Sequence, residues 1–316
     1  MHIVIPDDYQ DAVRGLACFA KLAGHSVTVY TDTVKEIDAL AERFKEADAL
    51  VLIRERTRIT EALLERLPRL RLISQTGKGT AHIDLAACAR RGVTVTAGTG
   101  SPYAPAELTW ALVLAALRHV PHEVARLRAG HWQSTMGTGL RGRTLGIWGY
   151  GKIGTLVARY GRAFDMDVRV WGREGSLSRA RSDGYALFAG REELFERSDV
   201  LSLHLKLSAE TRGLVMAADL ARMRPDALLV NTSRAELIAP GALEAALRAG
   251  RPGFAAVDVY EEEPVLGAAH PLLALDNAVC TPHLGYVERD SYESYFGQAF
   301  DQVVAFAEGR PVDAVS

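Results

Sequence analysis

Three cysteines, Cys18, Cys88 and Cys280, are all that the 316 residues contain, and they are odd in number and far apart. Neither a disulfide framework nor a metal-binding spacing can be built from them, so they read as small buried apolar residues of a reducing compartment. An excess of charge of one sign is also missing. Lys and Arg number 37 against 39 Asp and Glu, a net charge of −2, which excludes a broad surface for nucleic acid or anionic lipid. No apolar run reaches the length of a membrane span; the most apolar stretch, LTWALVLAALRHV, follows Glu107 and is interrupted by Arg118. The opening MHIVIPDDYQ has no basic leader and meets charge at once, so it reads as a first strand, and a cytoplasmic location is expected. Repeats of solenoid period and low-complexity segments are absent as well.

What is present is the profile of a globular chain, 48% hydrophobic and 24% charged, with length enough for two domains. Short apolar strands alternate with helical segments. HIVI leads into an expected helix over Arg14–Ala23, then SVTVY, a helix near Ile37–Phe44, ALVLI, RLISQ and VTVTA. After a helix near residues 104–119 the rhythm restarts with TLGIWG, DVRVW, YALF, VLSLH, ALLVNTS, FAAVDVY and AVCTPH. Two such series predict an α/β protein of two doubly wound parallel-sheet domains. The helix after Ser101 and Pro102 is apolar nearly all round, which calls for cover on several sides, by a second domain or a second subunit. Tyr292, Tyr295, Phe296, Phe300, Val303 and Phe306 stand at helical spacing, and this last segment is expected to return to the first domain. The expected boundaries are 1–98 plus 287–316 for one domain and 99–286 for the other.

GYGKIG, between a strand and a helix, carries Gly149, Gly151 and Gly154. In that context a dinucleotide is the expected ligand: a tight turn, close backbone approach to pyrophosphate, and amide donors at the helix start. Tyr150, Lys152 and Ile153 belong to the same turn. The place where an acidic side chain reads the adenosine ribose falls at the end of DVRVW, where Gly172 stands eighteen positions after Gly154. Glycine neither bonds the ribose nor repels a 2′-phosphate, and Arg173 follows with a guanidinium fork. NADP is therefore expected to be accepted, and favoured over NAD. Lys206 lies after another strand end on the same rim.

Three later strand ends carry Arg234 (VNTSR), Asp258 with Glu263 (VDVYEEEP), and His283 (TPHLGY). An arginine, a carboxylate and a histidine are the groups needed to reduce a 2-oxo acid. The arginine orients the carboxylate and polarises the carbonyl, while the histidine gives its proton to the developing alkoxide as hydride arrives from a nicotinamide. A carboxylate on the other ring nitrogen fixes the imidazole and favours its protonated form.

With these motifs in order, and with RERTRIT, GKGTAHIDL and PAELTWAL ahead of them, almost the whole chain resembles the D-isomer-specific 2-hydroxyacid dehydrogenases. The resemblance implies a flavodoxin-like substrate domain, a Rossmann cofactor domain and a cleft between them. It implies NAD(P)-dependent hydride transfer on a small D-2-hydroxy or 2-oxo acid of the glyoxylate, hydroxypyruvate or 3-phosphoglycerate type. His283 would be the acid/base, Glu263 its partner and Arg234 the substrate anchor. Asp258 would hold the nicotinamide amide, with Thr109, His204 and Thr232 as further cofactor contacts. The backbone amides of Lys78 and Gly79 would bind the substrate carboxylate, with Arg54 facing a distal anionic group. A homodimer built on the cofactor domain is implied too, and no metal. Glu263 argues against the formate-oxidising branch, where an amide pairs with the histidine. The chain departs from the family pattern at Ala235 and Lys206, and in having no acid at position 172. Two other readings of the same residues are a nucleotide-sensing, corepressor-like binding protein and an enzyme for an aromatic or branched acid.

Overall fold

A computed structural model describes residues 1–315 of the chain, which divides into two compact units, Met1–Ser101 with the segment from Val287 onward, and Pro102–Tyr286. Among the described residues the first unit holds a five-stranded parallel sheet of β1 (His2–Ile5), β2 (Ser26–Val29), β3 (Ala49–Leu52), β4 (Leu72–Gln75) and β5 (Thr94–Ala97), in the order β2-β1-β3-β4-β5. Every residue of β3 and β4 is buried, which is why ALVL and LISQ lack the alternation of a sheet with one wet face. The helix Arg289–Ala307 returns to this sheet and buries Tyr292, Tyr295, Phe296, Phe300 and Val303. Glu288 caps its start by accepting the Asp290 and Ser291 amides, and Ser74 Oγ donates to the Ala299 carbonyl at 3.1 Å. The helix expected over Arg14–Ala23 is instead two 3₁₀ turns, Val13–Gly15 and Ala17–Leu22. Leu16 between them is extended (φ −77°, ψ 142°), so no continuous hydrogen-bond ladder can cross it.

The second unit carries a parallel sheet of β6 (Thr144–Trp148), β7 (Asp167–Trp171), β8 (Ala186–Leu187), β9 (Val200–Leu203), β10 (Leu228–Asn231), β11 (Phe254–Val257) and β12 (Ala278–Cys280), ordered β12-β11-β10-β9-β6-β7-β8 among the described residues. The order reverses between β6 and β9, and open α/β sheets bind their ligands at the carboxyl ends of strands flanking such a point. The helix Tyr103–Leu117 packs on β10, β11 and β12 and on the helix Lys152–Ala163 of the same unit. Its Trp110 meets the rings of Tyr160 and Phe164. Within its own unit these contacts bury Ala106, Trp110, Leu112, Val113, Ala116 and Leu117.

Candidate active site

The turn after β6 is shaped by what its glycines permit. Gly149 has φ +101°, and a Cβ there would strike the His204 carbonyl; a Cβ on Gly154 would strike the Gly149 carbonyl. Gly151 faces open space and is the N-cap of the helix Lys152–Ala163, which has no side-chain cap and no acid in its first turn. First-turn amides without a side-chain partner are the donors a phosphate requires, so the residues fit a dinucleotide. Tyr150 is buried, and its hydroxyl donates to Asp183 at 2.7 Å. Arg179 donates to the Tyr150 carbonyl at 2.9 Å, a brace on the turn that no sequence motif announces.

At the end of β7, a Cβ on Gly172 would lie 3.5 Å from Ser176 and 3.8 Å from Gly149, ordinary contact distances. Space therefore does not forbid an acidic side chain there. Arg173 reaches across to Glu210, Nη2–Oε2 2.8 Å, with both side chains about 80% exposed (80% and 79%). Thr109 and Thr232 are brought together, Oγ1–Oγ1 2.7 Å, and Thr109 also donates to the Pro105 carbonyl at 2.7 Å. His204 Nε2 bonds Ser202 Oγ at 2.9 Å, and burial pushes its pKa down to about 4.

The strand ends of β10, β11 and β12 assemble the other cluster. His283 Nδ1 bonds Glu263 Oε2 at 2.6 Å, while Glu263 Oε1 accepts the Tyr260 amide at 3.0 Å. Burial by itself raises the Glu263 carboxyl. The bond and charge of His283, the Tyr260 amide and the charge of Arg234 outweigh it, and the carboxyl lies below its ordinary range. Asp258 is fully buried and accepts three bonds from the turn that carries His283: Thr281 Oγ1 at 2.6 Å, the Leu284 amide at 2.7 Å and the Gly285 amide at 2.8 Å. Burial raises its carboxyl against these donors. Asn231 pins the Arg234 segment from both sides, donating to the Arg234 carbonyl at 2.9 Å and accepting the Ser233 amide at 3.1 Å. Tyr260, Thr281 and Asn231 escaped the sequence reading. Their signal is weak: each stands near a motif residue, but its partner is set by the turn and not by spacing.

The remaining expected residues belong to the first unit. Lys78 and Gly79 follow β4, and Arg54 follows β3 in the left-handed region (φ +56°). Its amide donates to Thr76 Oγ1 at 3.0 Å, and its carbonyl accepts from Gln75 Nε2 at 2.8 Å. Its guanidinium stands 5.8 Å from the Tyr295 ring centre. The carboxylate of Glu55 lies against Gly79, where an added Cβ would meet it. No group of three or more possible metal ligands occurs among the described residues, and no helix among them is long and apolar enough to cross a membrane.

A glycine turn at a strand-order reversal, in the same unit as a histidine–carboxylate pair, is the architecture of a dinucleotide-dependent oxidoreductase. Residues 110–285 match the model of the D-isomer specific 2-hydroxyacid dehydrogenase NAD binding domain. A glyoxylate reductase of Aeropyrum pernix is 40% identical over 86% of this chain and 84% of its own length. A D-3-phosphoglycerate dehydrogenase of Methanocaldococcus jannaschii is 38% identical over 82% of this chain and 49% of its own, so the chain spans about half of that relative. The crystal structure of a phosphoglycerate oxidoreductase from Vibrio cholerae is 55% identical, with a TM-score of 0.95 over 98% of this chain and 99% of that one. The chain belongs to the D-isomer-specific 2-hydroxyacid dehydrogenase family. It is accordingly an oxidoreductase that uses a nicotinamide cofactor on small 2-oxo or 2-hydroxy acids.

Proposed function

We propose that the chain reduces a small 2-oxo acid of the glyoxylate, hydroxypyruvate or 3-phosphoglycerate type to the D-2-hydroxy acid, with NADPH preferred and NADH accepted. The observation that carries the reading is the 2.6 Å bond between His283 and Glu263, in the loops that follow β12 and β11 of the unit that also holds the glycine turn. The cofactor supplies the hydride. Glu263 holds Nδ1 and leaves Nε2 to give a proton to the substrate oxygen. Arg234 binds the substrate carboxylate and draws charge from the carbonyl. Asp258 fixes the turn bearing His283. Three donors of that turn hold its carboxylate, and the contact with the nicotinamide amide is proposed on the family resemblance. Gly149, Tyr150, Gly151, Lys152, Ile153 and Gly154 seat the pyrophosphate, Thr109, His204 and Thr232 line the cofactor site, and Gly172 with Arg173 admits a 2′-phosphate. Lys78 and Gly79 offer amides to the substrate carboxylate, a place the Glu55 carboxylate must yield, and Arg54 attracts an anionic distal group. The chain is proposed to work as a homodimer in the cytoplasm. The test is a panel of 2-oxo acids assayed by loss of reduced-nicotinamide absorbance, with His283→Gln alongside. Turnover should fall by roughly a hundredfold or more in the variant while cofactor binding persists. Near-normal turnover by the variant would remove His283 from the mechanism.

A further inference from the structure

Arg173 follows β7 and Glu210 follows β9, and in the sheet these strands stand on either side of β6, whose end carries the glycine turn. Their ion pair therefore spans the mouth of that turn, a strap across the ground where the adenosine end of a dinucleotide must lie. Neither loop is loose. Thr211 Oγ1 accepts the Ser208 amide and donates to the Lys206 carbonyl, each at 2.8 Å, and the Gly213 amide donates to the Glu236 carbonyl at 2.8 Å. On the other side Arg173 is the N-cap residue of the helix Glu174–Ser182. With both side chains about four-fifths exposed, at 80% and 79%, the pair is not what holds the loops together, since exposed pairs contribute little. It is free to exchange partners.

We infer that Glu210 limits the preference of this enzyme for NADPH over NADH. The inference rests on the reading of Arg173 given above. A 2′-phosphate and the Glu210 carboxylate are both anions seeking one guanidinium. Binding NADPH must therefore break the strap and leave the displaced carboxylate close to the phosphate. NADH has no 2′-phosphate, and the strap closes over it unopposed. Glu210 thus weakens NADPH binding and leaves NADH binding alone. It is not a charge effect of the rim at large: Glu174, the residue after Arg173, also carries an acid into the first turn of its helix, but the partner observed on Arg173 is Glu210.

The experiment is a fluorescence titration of the full chain with NADPH and with NADH, for the wild type, Glu210→Gln, Glu174→Gln, Arg173→Ala and the double variant Arg173→Ala/Glu210→Gln. Removing Glu210 should tighten NADPH binding about two- to fivefold, the range of one exposed ion pair, and leave NADH unchanged. The gain should disappear in the Arg173→Ala background and should exceed that from Glu174→Gln. No gain for NADPH, an equal gain for both dinucleotides, or an equal gain from Glu174→Gln overturns the inference. Arg173→Ala alone tests the underlying reading: if it weakens NADPH while Glu210→Gln does nothing, only the role of Glu210 falls. If it leaves NADPH binding untouched, the phosphate reading falls and takes the strap with it.

Discussion

His283 has φ +52°, a region that a non-glycine residue occupies when its surroundings hold it there. Three donors from its turn on Asp258 and one bond to Glu263 do the holding. The sequence reading singled out Arg234, Glu263 and His283 because each follows an apolar strand, and the structure brings Glu263 and His283 together. The anchoring was not, because Asp258 reaches across 23 to 27 positions to its donors, a relation only the folded turn creates. At this scale the test is Glu263→Gln. Glu263 lies below the ordinary carboxylate range, so it stays charged through the working pH of the enzyme and sets a negative charge against His283. An amide gives up that charge. The alkaline limb of the kcat profile for 2-oxo acid reduction should move down, with the acid limb little changed. Overlaying profiles would show that the 2.6 Å bond plays no part in turnover.

At the scale of elements, strands were legible where they are buried on both faces, and the glycine turn where Gly149 and Gly154 each meet a steric demand. The misread helix over Arg14–Ala23 has apolar residues at plausible intervals, but periodicity does not report that Leu16 is extended. A second hidden element is the short bridge between Ile59 and Ile83. The Ile59 amide donates to the His82 carbonyl at 2.9 Å and the Asp84 amide to the Ile59 carbonyl at 2.9 Å, which turns the His82 ring inward. That ring is 9% exposed, and neither of its nitrogens has a hydrogen-bond partner among the described residues. Burial lowers its pKa from 6.5 to about 4, with Glu55 opposing the shift and Arg54 and Arg58 adding to it. Between those two values the unfolded chain binds a proton that the folded chain refuses, so stability falls as pH drops through that window and is unaffected above it. The full span is worth about 3 kcal/mol. His82→Leu keeps the volume and removes the titration. Its melting temperature should match or exceed that of the wild type at pH 7.5 and fall less on transfer to pH 5. Some fall should persist, because His204 is lowered to about 4 in the same way. An unchanged drop between the two pH values would contradict this account of His82.

For the whole molecule, the sequence put the demand for a partner on the helix Tyr103–Leu117, because apolar content reports burial and not what supplies it. The next element exposes apolar side chains of its own. The helix Val120–Arg128 has no buried residue and displays Val124 and Leu127, and the segment after it displays Trp132 (77% exposed) and Met136 (91%). Scattered among Arg, His and Glu, these side chains give no apolar run to notice. The stretch is also held in shape: Glu123 accepts from the Ser134 hydroxyl at 2.8 Å and the Thr135 hydroxyl at 2.6 Å, and these bonds lower its carboxyl to about 2. Under the proposed homodimer, residues 120–136 are the surface we propose for the second copy, since closed two-fold pairs are the commonest homo-oligomers. The proposed homodimer is therefore tested with Leu127→Asp combined with Trp132→Asp. Neither side chain is buried within its own chain, so the variant should fold, with the circular dichroism of the wild type. In sedimentation velocity the wild type should run as a dimer at micromolar concentration and the double variant as a monomer, because each copy would bring two carboxylates into a surface that has to be dry. A wild-type monomer would end the dimer proposal, and a double variant that still pairs would put the interface elsewhere than on residues 120–136.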